Sequence, residues 1–155
     1  VKAGAAWTDT TYYAKFEYNL TDLTITKTIN RNESRLYGSQ DFVFNVKSQD
    51  GSVDIDVVVN VRAGETTGSV TIKGLTVGET YTITENTGWS WRYELKGAVK
   101  ADGATCTVVY SKGSSSATYT PSGTNNQIIF TNNWVQAKWL SFTDSVKNIF
   151  GKPNT

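Results

Sequence analysis

From Leu23 to Asn132 the chain runs in short stretches of alternating apolar and polar residues, separated by clusters of Gly, Asn, Asp and Ser. Side chains two apart on a strand share a face, so each stretch predicts a half-buried β-strand. Leu23–Ile29 sets Leu23, Ile25, Lys27 and Ile29 on one face, and Asp41–Lys47 carries Phe42, Phe44 and Val46 at alternate positions. Asp50-Gly51 marks a turn, followed by the long β-branched run Val53–Val61. Gly68–Ile72 leads into a predicted loop, Gly74–Gly78, and then a strand over Glu79–Glu85. Trp89–Leu95, Thr105–Tyr110, Ala117–Tyr119 and Gln127–Asn132 complete the series, and Tyr12–Leu20 is a possible first strand with Tyr12, Ala14, Phe16 and Tyr18 on one face.

About eight to ten strands of this length suit an all-β fold, an Ig-like or prealbumin-like antiparallel β-sandwich. The end of the chain differs. Ser141-Phe142-Thr143-Asp144 has the form of a capping box, and Phe142, Val146, Ile149 and Phe150 follow at helical spacing until Gly151 and Pro153. That pattern predicts a short C-terminal helix docked on the sandwich. Residues 1–20 are therefore read as an N-terminal strand or the end of a preceding module, 21–133 as the sandwich, and 134–155 as a tail with the helix.

The 155 residues suit one domain with appendages and carry a net charge of +1, from 15 basic and 14 acidic side chains. No basic stripe points to nucleic acid, and no apolar stretch reaches membrane-spanning length. With no Met and no signal-peptide core, the sequence is expected to be a mature fragment or part of a longer chain. The absence of His removes the commonest general base and metal ligand. A single Cys forbids an intrachain disulfide, so a covalent brace in an oxidising compartment would need other chemistry.

Three polar residues break the alternation. Lys27 shares its face with Leu23, Ile25 and Ile29; Glu85 with Tyr81 and Ile83; Asn132 with Ile128 and Phe130. Buried Lys and Glu are rare unless paired. One solution is for the three to meet in the core. Burial lowers the pKa of a Lys and raises that of a Glu, giving a nucleophilic amine beside a carboxylic acid. The Lys27 amine then attacks the Asn132 side-chain amide while Glu85 moves protons as general acid and base. This is a single-turnover self-reaction with no substrate and no cofactor. The alternation alone also fits strand-end side chains whose polar tips reach solvent, since Lys27 and Asn132 lie near the ends of their runs.

Leu23-Thr24-Ile25-Thr26-Lys27-Thr28-Ile29, Gly74-Leu75-Thr76-Val77-Gly78-Glu79-Thr80-Tyr81-Thr82-Ile83-Thr84-Glu85 and Ile129-Phe130-Thr131-Asn132 occur in that order. Together they resemble the opening strand, the loop with its following strand, and the closing strand of collagen-adhesin B-type (Cna-B-like) and related Gram-positive pilin domains. The resemblance implies a structural stalk or spacer domain of a cell-surface protein or pilus, extracellular and attached to the cell wall through its parent protein. It also implies a Lys27–Asn132 isopeptide bond with Glu85 catalytic, and neighbouring domains of the same surface protein as partners. Asn133 adjoins Asn132 and is the alternative acceptor; parity with Phe130 favours Asn132. The aromatic segment Trp89–Tyr93, the long run Val53–Val61 and the tail from Trp134 lie outside the family pattern.

Trp89, Trp91 and Tyr93 share a face. Exposed, Trp89 and Trp91 form a platform for a glycan or host matrix protein, an alternative role as a ligand-binding adhesin. Buried, they are core, the reading favoured because large aromatics usually serve packing. Trp134 and Trp139 are expected to pin the tail helix. Cys106 has no His to activate it and no thioester motif, and reads as a buried thiol. Asp50, Asp54 and Asp56 lack the Gly and terminal Glu of a helix–loop–helix calcium site and read as a solvated strand face, so no metal is expected. Asn19-Leu20-Thr21 and Asn32-Glu33-Ser34 match glycosylation sequons, which mean little in a bacterial protein. Lys152-Pro153-Asn154-Thr155 faintly resembles a sortase signal but lacks its Leu, Gly, apolar span and basic tail. No nucleophile–base pair, metal cluster or phosphate loop points to a conventional enzyme.

Overall fold

The computed structural model describes residues 11, 13–15, 17–30, 38–90, 92–100, 108–111 and 114–135. Among these are nine strands: β1 (Leu20–Ile29), β2 (Gln40–Ser48), β3 (Asp54–Val61), β4 (Thr67–Thr76), β5 (Tyr81–Asn86), β6 (Tyr93–Lys100), β7 (Val108–Ser111), β8 (Ser114–Tyr119) and β9 (Asn126–Trp134). They form two sheets, ordered β4-β1-β9-β6 and β3-β2-β5-β8-β7, which pack as a sandwich. The expected antiparallel pairing holds for every neighbouring pair but one: β1 and β9 run parallel. No hairpin joins these first and last strands, so no short turn dictates their relative direction. Their register sets Lys27 opposite Phe130 and Ile29 opposite Asn132.

The core is built from the alternate positions that the pattern predicts. Leu23, Ile25 and Ile29 of β1, Phe42, Phe44 and Val46 of β2, Tyr81 and Ile83 of β5, and Ile128 and Phe130 of β9 are all buried. A bulge between Leu95 and Gly97 resets the alternation of β6, so Ala98 is the next core residue. Asn126 plugs the start of β9: its Oδ1 accepts from the Ser122 backbone at 2.6 Å, and its Nδ2 donates to Thr21 Oγ1 at 2.9 Å and the Ser122 carbonyl at 2.8 Å. At the Asp50-Gly51 turn, Gly51 has φ 78°. Asp50 Oδ1 accepts from Ser48 Oγ, Ser52 N and Ser52 Oγ. These donors, the Ser48 hydroxyl foremost, hold the Asp50 carboxyl down at a pKa of about 2.

Several expectations need correction. The described residues between Thr11 and Asn19 form no strand, and Tyr13 and Tyr18 are 91% and 80% exposed. Alternation supplies a face but no hydrogen-bonding edge, and both edges of β1 are already occupied, by β4 and β9. The predicted loop at Gly74 is instead the end of β4: one extra residue opposite the Thr21–Leu23 irregularity makes a bulge, with Gly74 at φ 75°. β6 starts at Tyr93 rather than Trp89, because residues 87–90 form a turn closed by Gly88 N to Asn86 Oδ1, Trp89 N to the Asn86 carbonyl and Tyr93 N to the Ser90 carbonyl. Trp89 is therefore 71% exposed and not core, whereas Tyr93 is buried. Trp134 packs against the core. The predicted C-terminal helix, Trp91, Trp139, Cys106 and the Asn32 sequon lie outside the described residues. No helix of the described residues is long and apolar enough to cross a membrane.

Gly68, the β4 partner of Lys27, marks where the two sheets close on one another. A Cβ there would lie 2.2 Å from the Asn60 carbonyl oxygen and 3.3 Å from Val59 Cγ1, both on β3 of the opposite sheet. The obstacle is backbone, which cannot swing aside as a side chain does. Gly68→Ala is expected to destabilise the domain by about 1–3 kcal/mol, the usual cost of overpacking. Urea unfolding should show a lower midpoint at an unchanged slope; an unchanged midpoint would mean that this edge opens freely.

Candidate functional site

The functional candidates come from three strands in two sheets. Lys27 on β1 and Asn132 on β9 are on neighbouring strands of one sheet; Glu85 on β5 faces them from the other. All three are fully buried. Lys27 Nζ donates to Glu85 Oε2 at 2.6 Å and contacts Asn132 Oδ1. Asn132 Nδ2 donates to the other carboxyl oxygen, Glu85 Oε1, at 2.7 Å. One carboxyl thus bridges the amine and the amide nitrogen. Asn133 is only half-buried, pairs with Glu94 and takes no part in these bonds.

The surroundings are apolar. Lys27 Nζ lies 4.7 Å from the centre of the Phe42 ring and 5.6 Å from that of Phe44, and the Phe130 ring packs on Phe44 with centroids 4.9 Å apart. Desolvation outweighs the opposing pull of the Glu85 charge and hydrogen bond, and lowers the Lys27 pKa from 10.5 to about 8. A larger share of the amine is then neutral near pH 7 than in a free lysine. A neutral amine held against a carboxamide is a nucleophile at its electrophile, with a carboxyl in reach of both nitrogens.

Two further residues escaped the sequence reading. Ser90, buried in the turn after β5, donates from Oγ to Glu85 Oε1 at 3.2 Å. Ser115 on β8 is the register partner of Glu85 and is buried, yet its Oγ has no hydrogen-bond partner. Neither carries a periodic signal: Ser90 lies in a turn, and a serine on a strand face is unexceptional. The other candidates lie elsewhere. Trp89 sits exposed on the same turn as Ser90. Asp54 and Asp56 are exposed and both accept from Asn45 Nδ2 at 2.9 Å, and Lys47 Nζ meets Asp54 Oδ2 at 3.0 Å, which makes them part of a solvated strand face.

This arrangement is housed in an all-β sandwich. One solved structure with this fold is a bacterial adhesin from Mobiluncus mulieris containing intramolecular disulfide, isopeptide and ester bond cross-links, with 20% identity and a TM-score of 0.50 over 74% of this chain and 41% of that one. The pilus-presented adhesin Spy0125 (Cpa) aligns at 18% identity and a TM-score of 0.41, over 73% of this chain and 27% of that one. The chain thus spans less than half the length of each of these proteins. Curated proteins yield no significant sequence match. Residues 23–135 match the family described as a domain of unknown function, DUF5979, and the chain belongs to that family.

Proposed function

We propose that this domain is a structural stalk or spacer module of a bacterial cell-surface protein or pilus, braced by a self-formed amide bond between Lys27 and Asn132. The observation that carries the reading is the bridging carboxyl: Glu85 contacts both the nitrogen that must lose a proton and the nitrogen that must gain one. The neutral Lys27 amine attacks Asn132 Cγ, and the C=O electrons move onto Oδ1. Glu85 takes a proton from Nζ through Oε2 and delivers one to Nδ2 through Oε1. The Cγ–Nδ2 bond then breaks, ammonia leaves, and an Nζ–Cγ amide remains. One amide replaces another, so no oxidant, metal or cofactor is consumed, and the domain acts once on itself rather than as an enzyme.

The topology fits a load-bearing role. Tension entering at the start of β1 and leaving after β9 would run along two parallel strands in shear. The bond would carry it directly from residue 27 to residue 132, bypassing the intervening strands. The isopeptide cross-link of the Mobiluncus adhesin, which shares the fold, supports the reading. Such a module is expected outside the cell, attached to the wall through its parent protein and flanked by that protein's other domains.

Intact mass tests the chemistry. The wild-type chain is expected one ammonia lighter than its sequence, with Lys27→Ala and Asn132→Ala each at full mass. A wild type of full mass would end the proposal.

The buried amine adds a pH signature. In Asn132→Ala the amine stays free, with a folded pKa near 8 against 10.5 unfolded. Below about pH 8 both states hold the proton. Between 8 and 10.5 the unfolded chain binds more protons, so stability rises with pH there. In the linked wild type the nitrogen is an amide and contributes no such slope. Urea unfolding of both proteins across this window checks the difference, and parallel profiles would contradict it.

The exposed Trp89 favours a second role alongside the first, as a contact for a glycan or host matrix protein. Tryptophan fluorescence titrated with glycan and matrix-protein panels tests it, and a signal indifferent to all of them would remove that role.

A further inference from the structure

The carboxyl of Glu85 must hold a particular orientation, one oxygen on each nitrogen. Rotation about the terminal torsion of a Glu side chain is soft, so the strand alone does not fix it. Lys27 and Asn132 hold it only while both are unreacted. Among the described residues, the remaining hydrogen bond to the carboxyl comes from Ser90 Oγ, 3.2 Å from Oε1. Ser90 is 5% exposed, and its place is set by the turn rather than by a strand, through Asn86 and Tyr93.

We infer that Ser90 is a positioning residue for the cross-linking reaction: its hydroxyl anchors Glu85 Oε1 and so keeps Oε2 on the Lys27 amine throughout the proton transfers. The inference rests on the bond-forming reading above and deepens it. The hydroxyl donates from outside the reacting pair. When Nδ2 departs as ammonia, Oε1 loses that donor but keeps Ser90, so the carboxyl is not left with an unmatched oxygen in a dry pocket. Ser90 touches neither reacting nitrogen and acts only through Glu85. Ser115 is an internal contrast. It is equally buried and directly beside Glu85 on β8, yet it donates to nothing.

The test is the rate of cross-linking in the full chain. Cell-free translation supplies a short radiolabelled pulse, aliquots are quenched in denaturant, and linked and linear chains are separated by gel and identified by intact mass. Ser90→Ala is expected to link about ten- to a hundredfold more slowly than wild type, the range for losing one hydrogen bond to a charged group. Ser90→Thr, which restores a hydroxyl, should recover most of the rate. Ser115→Ala should link at the wild-type rate. Once fully linked, Ser90→Ala should melt close to wild type, which separates positioning from a loss of fold. If Ser90→Ala does not fold, Ser90→Cys, similar in size with a weaker donor, should link at an intermediate rate. A wild-type rate in Ser90→Ala or Ser90→Cys, or equal slowing in Ser115→Ala, would overturn the role of Ser90 while leaving the bond in place. A wild type that never links would overturn both.

Discussion

Glu85→Gln is expected to give a folded chain of full sequence mass that melts about 15–25 °C below wild type. Gln keeps the shape of Glu and can still accept a hydrogen bond from Lys27, but it cannot move protons between Nζ and Nδ2. Without that transfer the amide nitrogen is a poor leaving group and the link does not form. The lost cross-link would have closed a segment 105 residues long. In the chain-entropy description, closing a loop of about a hundred residues restricts the unfolded chain by about 4.7 kcal/mol. For a sandwich of this size each kcal/mol is worth about 4 °C. Differential scanning calorimetry beside intact mass reads both halves of the result. A Glu85→Gln chain that still lacks one ammonia would remove Glu85 from the chemistry. An unlinked chain melting with wild type would remove the bond's stabilising role.

Much of this site was legible because β-strand alternation is strict. A Lys, a Glu and an Asn at positions otherwise reserved for Leu, Ile, Phe and Tyr must be buried if the strands form, and the structure buries Lys27, Glu85 and Asn132 completely. Parity also separated Asn132 from Asn133, which lies on the opposite face. The same rule misled wherever no strand existed to give it meaning. Trp89 and Tyr93 have matching parity, but the turn at residues 87–90 breaks the phase, leaving Trp89 in solvent and Tyr93 in the core. Tyr12–Leu20 alternates as well as β1 does, yet its described residues before Leu20 form no strand. Ser90 was invisible for a related reason. A turn residue has no face until its backbone hydrogen bonds are known, and those bonds depend on Asn86 and Tyr93. The parallel pairing of β1 with β9 was equally hidden, since direction between strands at opposite ends of a fold is set by packing rather than by any local turn.

Lys27→Ala is expected to be far more damaging than Glu85→Gln, although both abolish the link. Each variant removes one member of the buried Lys27–Glu85 pair. Lys27→Ala also empties the space of a fully buried stem whose tip lies over the Phe42 and Phe44 rings. Truncating a long, fully buried side chain to Ala costs about 2–5 kcal/mol for the cavity it leaves, in addition to the lost cross-link. Together these approach the whole stability of an ordinary domain, about 5–15 kcal/mol. Lys27→Ala is therefore expected to be largely unfolded at 37 °C, with flattened near-ultraviolet circular dichroism and rapid proteolysis. The cause is the missing stem added to the missing link, and a second variant separates them. Lys27→Met with Glu85→Leu and Asn132→Leu replaces all three polar groups by apolar side chains against Phe42, Phe44 and Phe130. Apolar replacement of a buried ionic cluster is often neutral or stabilising. The triple variant should therefore fold, unlinked and at full mass, with a stability near that of Glu85→Gln. Should Lys27→Ala prove as stable as Glu85→Gln, water must fill the space of the stem at no cost, and the dry pocket on which the chemistry depends would not exist.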